Sequence, residues 1–159
     1  MGFFMALKVG DKAPEFRLTA DNNETISLKQ FQGKKVILYF YPKDNTPGCT
    51  KEACDFRDSF PQFMQQQAVI LGISKDSPAT HQKFKEKHEL PFTLLTDKDA
   101  AVCEAYGVIN PKSMFGKTFL GIQRSTFLID EKGLIQGIWR KVKVPQHAEA
   151  VFNHLTQLS

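Results

Sequence analysis

The feature that most constrains this chain is an apolar run, Val36-Ile37-Leu38-Tyr39-Phe40-Tyr41, followed at once by Pro42-Lys43-Asp44-Asn45-Thr46-Pro47-Gly48 and then Cys49. An unbroken apolar run of this length reads as a strand covered on both faces, such as the centre of a sheet with helices on either side. After the loop the spacing changes. Cys49, Ala53, Phe56, Phe60 and Phe63 follow by steps of four, three, four and three, which is one face of a helix. Strand, loop and helix in that order place a thiol at a helix N-terminus. There the free N–H groups and the helix dipole favour the thiolate, the reactive form of cysteine. A second thiol, Cys54, stands five residues on.

The rest of the pattern alternates strands with helices. Residues 9–18 are extended and interrupted by Pro14, and residues 24–28 alternate and are predicted to pair with them as a hairpin. Ser27 suits the N-cap of a short turn over 28–31, ended by Gly33. Residues 68–73 read as a second buried strand. Ser77-Pro78 opens a helix to about residue 88. A short strand over 92–95 and a short helix over 100–106, closed by Gly107, come next. Asp130-Glu131-Lys132-Gly133 is a turn joining strands 124–129 and 134–139, and residues 145–158 form the last helix. Pro61 predicts a kink or restart in the helix that begins near Cys49. Strand–helix–strand units imply parallel pairs with right-handed crossovers, and the closing hairpin makes the sheet mixed. With 159 residues and no linker or repeat, the expectation is one α/β domain over 1–159, a central mixed sheet flanked by helices with an N-terminal β-hairpin.

Composition narrows the class. A formal charge of +4, with Lys and Arg scattered among acids, offers no stripe for nucleic acid. No apolar run approaches the ~20 residues of a membrane span. The apolar start, Met1 to Leu7, is too short for a signal-peptide core and lacks its flanks. Three cysteines are too few and odd in number for a disulfide-stapled secreted scaffold. Without an export signal, the sequon Asn23-Glu24-Thr25 is read as chance, and the expected compartment is the cytoplasm.

The residues assembled so far resemble the peroxiredoxins, most closely the bacterioferritin comigratory (Q-type) branch. The family pattern Pro-x-x-x-Thr-x-x-Cys is met by Pro42, Thr46 and Cys49. The opening Val9-Gly10-Asp11-Lys12-Ala13-Pro14-Glu15-Phe16, the segment Tyr39-Phe40-Tyr41-Pro42 and the later Arg124-Ser125-Thr126-Phe127-Leu128-Ile129-Asp130 are also similar. The likeness runs from about residue 8 to the C-terminus in the same order. It implies a thioredoxin-like fold and thiol peroxidase activity toward hydrogen peroxide and organic hydroperoxides. It also implies Cys49 as the peroxidatic cysteine and Cys54 as the resolving one. A thioredoxin-type dithiol would be the reductant. An intramolecular resolving cysteine removes the need for a dimer without forbidding one, so the expectation is a monomer. The cycle requires no metal, flavin or nucleotide.

Each residue has a chemical reason and a plainer alternative. Cys49 could be a buried structural cysteine. Arg124 is the expected cation, stabilising the thiolate and donating to peroxide oxygens; the alternative is a surface ion pair. Thr46 can donate to a substrate oxygen or cap the helix. Pro42 shapes the strand end and shields the sulfur, or simply punctuates the strand. Cys103 reads as packing, with a backup resolving role left open. Five helical residues span ~7.5 Å of rise and about 140° of rotation. That separation exceeds disulfide reach, so a Cys49–Cys54 bridge demands local unwinding.

Other signals fail. Gly116-Lys117-Thr118 resembles the end of a phosphate loop, but the required first glycine is Pro111. His81 and His88, seven apart, read as a solvated helix face rather than metal ligands. Cys49 and Cys54 lack the second pair of a zinc site. A thiol–disulfide oxidoreductase would favour Cys-x-x-Cys, and position 52 is Glu52. A binding module that uses exposed apolar surface is the remaining rival, because phenylalanine is abundant at 14 residues. The apolar stripes place most of these rings in the core.

Overall fold

The computed structural model describes residues 6–158, so most of the apolar start, residues 1–5, lies outside the described residues. Strands β1 (Arg17–Ala20), β2 (Thr25–Ser27), β3 (Lys35–Phe40), β4 (Ala68–Ser74), β5 (Thr93–Thr96), β8 (Ser125–Ile129) and β9 (Ile135–Trp139) form one sheet. Its order is β2-β1-β5-β4-β3-β8-β9. As expected from its unbroken apolar run, β3 is central and buried throughout. It pairs parallel with β4 and antiparallel with β8, so the sheet is mixed.

The two-residue period of a strand divides the core. Val36, Leu38 and Phe40 face one cluster with Leu71, Phe127, Cys103 and Tyr106. Ile37, Tyr39 and Tyr41 face the other, with Cys49, Phe56, Phe63, Phe84 and Val151. Helices α1 (Pro47–Gln65), α2 (Pro78–His88) and α4 (His147–Thr156) therefore cover one face, and the short α3 (Ala101–Ala105) covers the other. The N-terminal hairpin forms over Arg17↔Ser27 to Thr19↔Thr25. Among the described residues, no helix is long and apolar enough to cross a membrane.

Three expectations need correction. Helix α1 continues through Pro61 to Gln65 instead of restarting. Pro61 is exposed, and the flanking Phe60 and Phe63 pack on Phe92 just before β5 and on Phe152 of α4, which anchors the helix across the missing bond. Residues 108–123, left without elements, form a separate antiparallel hairpin, β6 (Ile109–Met114) with β7 (Lys117–Ile122). Its turn uses left-handed Phe115 and Gly116, and Pro111 inside β6 disguises the strand. Phe115 and Phe119 are exposed there, so these two rings are not core. Finally, His81 does not belong to a solvated face: it is fully buried, while His88 is half-buried against Phe84.

Candidate active site

Cys49 is the third residue of α1 and is 1% exposed. Local chemistry starts the helix there. Thr46 is the N-cap in extended backbone, Pro47 takes the first helical position, and Thr50 N–H donates to the Thr46 carbonyl at 2.9 Å. The cation arrives from far along the chain. The register Phe40↔Ser125 between β3 and β8 brings Arg124, just before β8, beside the end of β3 where the loop begins. Its Nη2 donates to the Cys49 sulfur at 3.3 Å. Gly48 leaves room for this approach, since a Cβ there would lie 3.1 Å from Arg124 Nη2.

The same guanidinium donates from Nη1 to Glu52 Oε1 at 2.6 Å. Glu52 lies one turn after Cys49 and is 1% exposed. Burial pushes its carboxyl up to about 7, and the charge of Arg124 opposes that rise. Burial also works against the charge on Arg124, but the Glu52 carboxylate and the Cys49 sulfur outweigh it and raise the Arg124 pKa. Glu52 Oε2 and the buried Tyr39 hydroxyl have no hydrogen-bond partner among the described residues. Such orphaned groups cost about 1–3 kcal/mol each, a strain expected at sites built for chemistry.

Behind this trio, Thr126 Oγ1 lies 2.8 Å from His147 Nε2. Burial, reinforced by Arg124, lowers the His147 pKa to about 4, so the imidazole is neutral at pH 7. On the hairpin side, Lys112 Nζ donates to the Ile122 carbonyl at 2.7 Å. Gly121 permits that path, since a Cβ there would meet Lys112 Cδ at 2.7 Å.

The other expected residues fall as follows. Thr46 Oγ1 donates to the Lys43 carbonyl at 2.8 Å and makes no capping bond, so its hydroxyl tightens the loop instead. Pro42 is half-buried at the loop's start. Cys54 is half-buried on the same continuous helix and lines a surface cleft with Asn45, Lys51 and His88. All three cysteines are free. Cys103 packs in the core, and its thiol is pushed well up, first by burial and then by Asp97. Sequence reasoning passed over Gly48 and Glu52. Glu52 carried a signal: it falls three residues after Cys49 on the face that buries Ala53 and Phe56. An acid on such a face needs a cation.

Comparison with known proteins places the chain in a family. The model of the AhpC/TSA family matches residues 9–138. A putative peroxiredoxin Bcp of Coxiella burnetii is 58% identical over 95% of this chain and 100% of the relative. Peroxiredoxin Bcp of Bacillus subtilis is 51% identical over 98% of this chain and 99% of its own. Peroxiredoxin Q of Xanthomonas campestris superposes with a TM-score of 0.86 at 43% identity, covering 90% of each chain. A mutant of Xylella fastidiosa PrxQ reaches 0.91 at 39% identity, over 97% of this chain and 98% of that one. The chain shares the thioredoxin-like fold of these enzymes and belongs to the AhpC/TSA family as a peroxiredoxin of the Bcp type.

Proposed function

We propose that Cys49 is the thiol that attacks the peroxide and that Cys54 resolves the product. The chain is a thiol-dependent peroxidase. Hydrogen peroxide and organic hydroperoxides are its substrates, the second class supported by the alkyl peroxide reduction of the Xanthomonas campestris bacterioferritin comigratory protein. The Cys49 thiolate attacks one peroxide oxygen and the O–O bond breaks. Cys49 becomes a sulfenic acid, and the leaving hydroxide or alkoxide takes a proton from water. The Cys54 thiol then displaces water from the sulfenic sulfur to give a disulfide. A dithiol reductant of the thioredoxin type restores both thiols by exchange. Arg124 stabilises the thiolate and the developing negative oxygen, Thr46 offers its hydroxyl to the substrate, and Pro42 shapes the loop that screens the sulfur.

The observation that carries this reading is the single guanidinium spanning Cys49 and Glu52. Glu52 holds Arg124 so that one nitrogen is left for the sulfur and for an oxygen bound beside it. Cys54 reaches Cys49 only after the first turns of α1 unwind, because five helical residues exceed disulfide geometry. Unwinding would also expose the bridge to its reductant. An intramolecular bridge needs no second subunit, which favours a monomer.

The test is oxidation of the Cys54→Ser variant by one equivalent of hydrogen peroxide, with a sulfenic-acid trap and peptide mapping. The adduct is expected on Cys49. An adduct confined to Cys103, or none, would sink the assignment.

A further inference from the structure

Beneath the loop that leads to Cys49 lies a charged cluster for which the peroxidase cycle has no role. Asp44, two residues before Thr46, is 3% exposed and engaged at both carboxylate oxygens. The Tyr41 hydroxyl donates to Oδ1 at 2.6 Å, and His81 Nδ1 lies 2.6 Å from Oδ2. The Asp44 backbone N–H donates to Asp76 Oδ2 at 2.8 Å. His81 comes from α2, is 0% exposed, and has its other nitrogen 3.0 Å from the Leu95 carbonyl oxygen on β5.

These contacts count the protons. A carbonyl oxygen only accepts, so His81 Nε2 carries a hydrogen. A ring nitrogen and a carboxylate oxygen at 2.6 Å need a second hydrogen between them, since two lone pairs at that distance repel. The pair thus shares one short, buried hydrogen bond. Removing either partner leaves the other's buried polar atoms unpaired.

We propose that Asp44 and His81 are positioning residues for the peroxide-reducing step. They pin the loop to α2 and β5 and so fix the backbone from which Thr46 and Cys49 project. The inference rests on Cys49 being the attacking thiol. Tyr41, Asp44, His81 and Leu95 all lie outside α1. Unwinding of that helix leaves the clamp in place, and the clamp marks the fixed end of the segment that must melt for Cys54 to reach Cys49. Its loss should therefore slow attack on peroxide and spare resolution. A metal is not the better reading, although donor atoms of Asp44, Asp76 and His81 lie within 4.8 Å of one another. Asp44 Oδ2 and His81 Nδ1 already bond each other, and Asp76 Oδ2 accepts from the Asp44 N–H and from the Ser74 hydroxyl, the latter at 2.6 Å.

The experiment follows the full-length chain after rapid mixing with hydrogen peroxide, resolving Cys49 oxidation and disulfide formation as separate phases. In Asp44→Ala the first phase should slow by about tenfold to a hundredfold, the range for a misplaced reacting group, with the second within about threefold of wild type. Asp44→Asn, which can hydrogen-bond a neutral imidazole, should recover part of the loss. If Asp44→Ala does not fold, Tyr41→Phe removes only the hydroxyl and should still slow the first phase severalfold. An unchanged first phase in a folded variant, or equal loss in both phases, overturns the proposal. Failure of wild-type Cys49 to oxidise would instead overturn the assignment of Cys49.

Discussion

Arg124 Nη2 lies 3.3 Å from the sulfur of Cys49 although the two residues are 75 apart in the chain. The antiparallel pairing of β3 with β8 makes that contact possible, and Gly48 removes the side chain that would obstruct it. The remaining geometry is set by Glu52, which takes the other guanidinium nitrogen.

Arg124→Ala is expected to slow oxidation of Cys49 by about 10–150-fold, since one charge-assisted contact is worth about 1.5–3 kcal/mol. It also leaves the buried Glu52 carboxyl without its cation, so neutral-pH stability should fall. Adding Glu52→Gln should restore stability and not the rate. Single-turnover kinetics and denaturant unfolding of both variants check this. A rate within twofold of wild type would show that Arg124 is not the active-site cation.

Cys49→Ser should abolish peroxide reduction. Cys54→Ser should keep one round of oxidation and stall reductant-driven turnover, with Cys49 left as sulfenic or more highly oxidised acid. In the wild type, oxidation should also unwind the start of α1. Hydrogen exchange compared between reduced and oxidised protein reads this directly. Protection over residues 49–54 should drop on oxidation in the wild type and persist in Cys54→Ser. Unchanged protection in the disulfide form would contradict the unwinding.

Gly48→Ala places a Cβ 3.1 Å from Arg124 Nη2, so the guanidinium must retreat by a few tenths of an ångström. Held by Glu52 and Cys49, it cannot do so without lengthening a bond to one of them. The oxidation rate should fall severalfold with little loss of stability, because the new methyl removes no core contact. Stopped-flow oxidation beside a thermal melt separates the two effects.

His147 gives the fold an acid-sensitive group. Its pKa is lowered from 6.5 to about 4 by burial and by Arg124. The unfolded chain therefore binds a proton that the native state refuses between those values. Stability from this group is full above about 6.5 and is lost as pH falls toward 4. At about 1.4 kcal/mol per pH unit the loss amounts to roughly 3 kcal/mol. His147→Gln should remove that part of the slope, which denaturant unfolding at pH 7 and pH 4 would reveal. Parallel losses in variant and wild type would rule it out.

The near-continuous apolar run of β3, the step-four-step-three face of α1 and the Thr46-Pro47-Gly48 start that brings Cys49 to a helix end were all legible in the sequence, because each depends on neighbours within about one turn or one pleat. The five-residue spacing of Cys49 and Cys54 was readable for the same reason. Local pattern could not say that Glu52 would share Arg124 with Cys49, although an acid on a buried face asked for a cation. It misplaced His81, whose polar side chain suggested solvent until Asp44 and Leu95 converged on it from other elements. It also missed the β6–β7 hairpin, whose exposed Phe115 and Phe119 break the rule that apolar side chains mark the core. Those features belong to the tertiary structure alone. Charges and rings become partners only when strand pairing and helix packing bring distant segments together, and the cost of burying them unpaired then selects which ones meet.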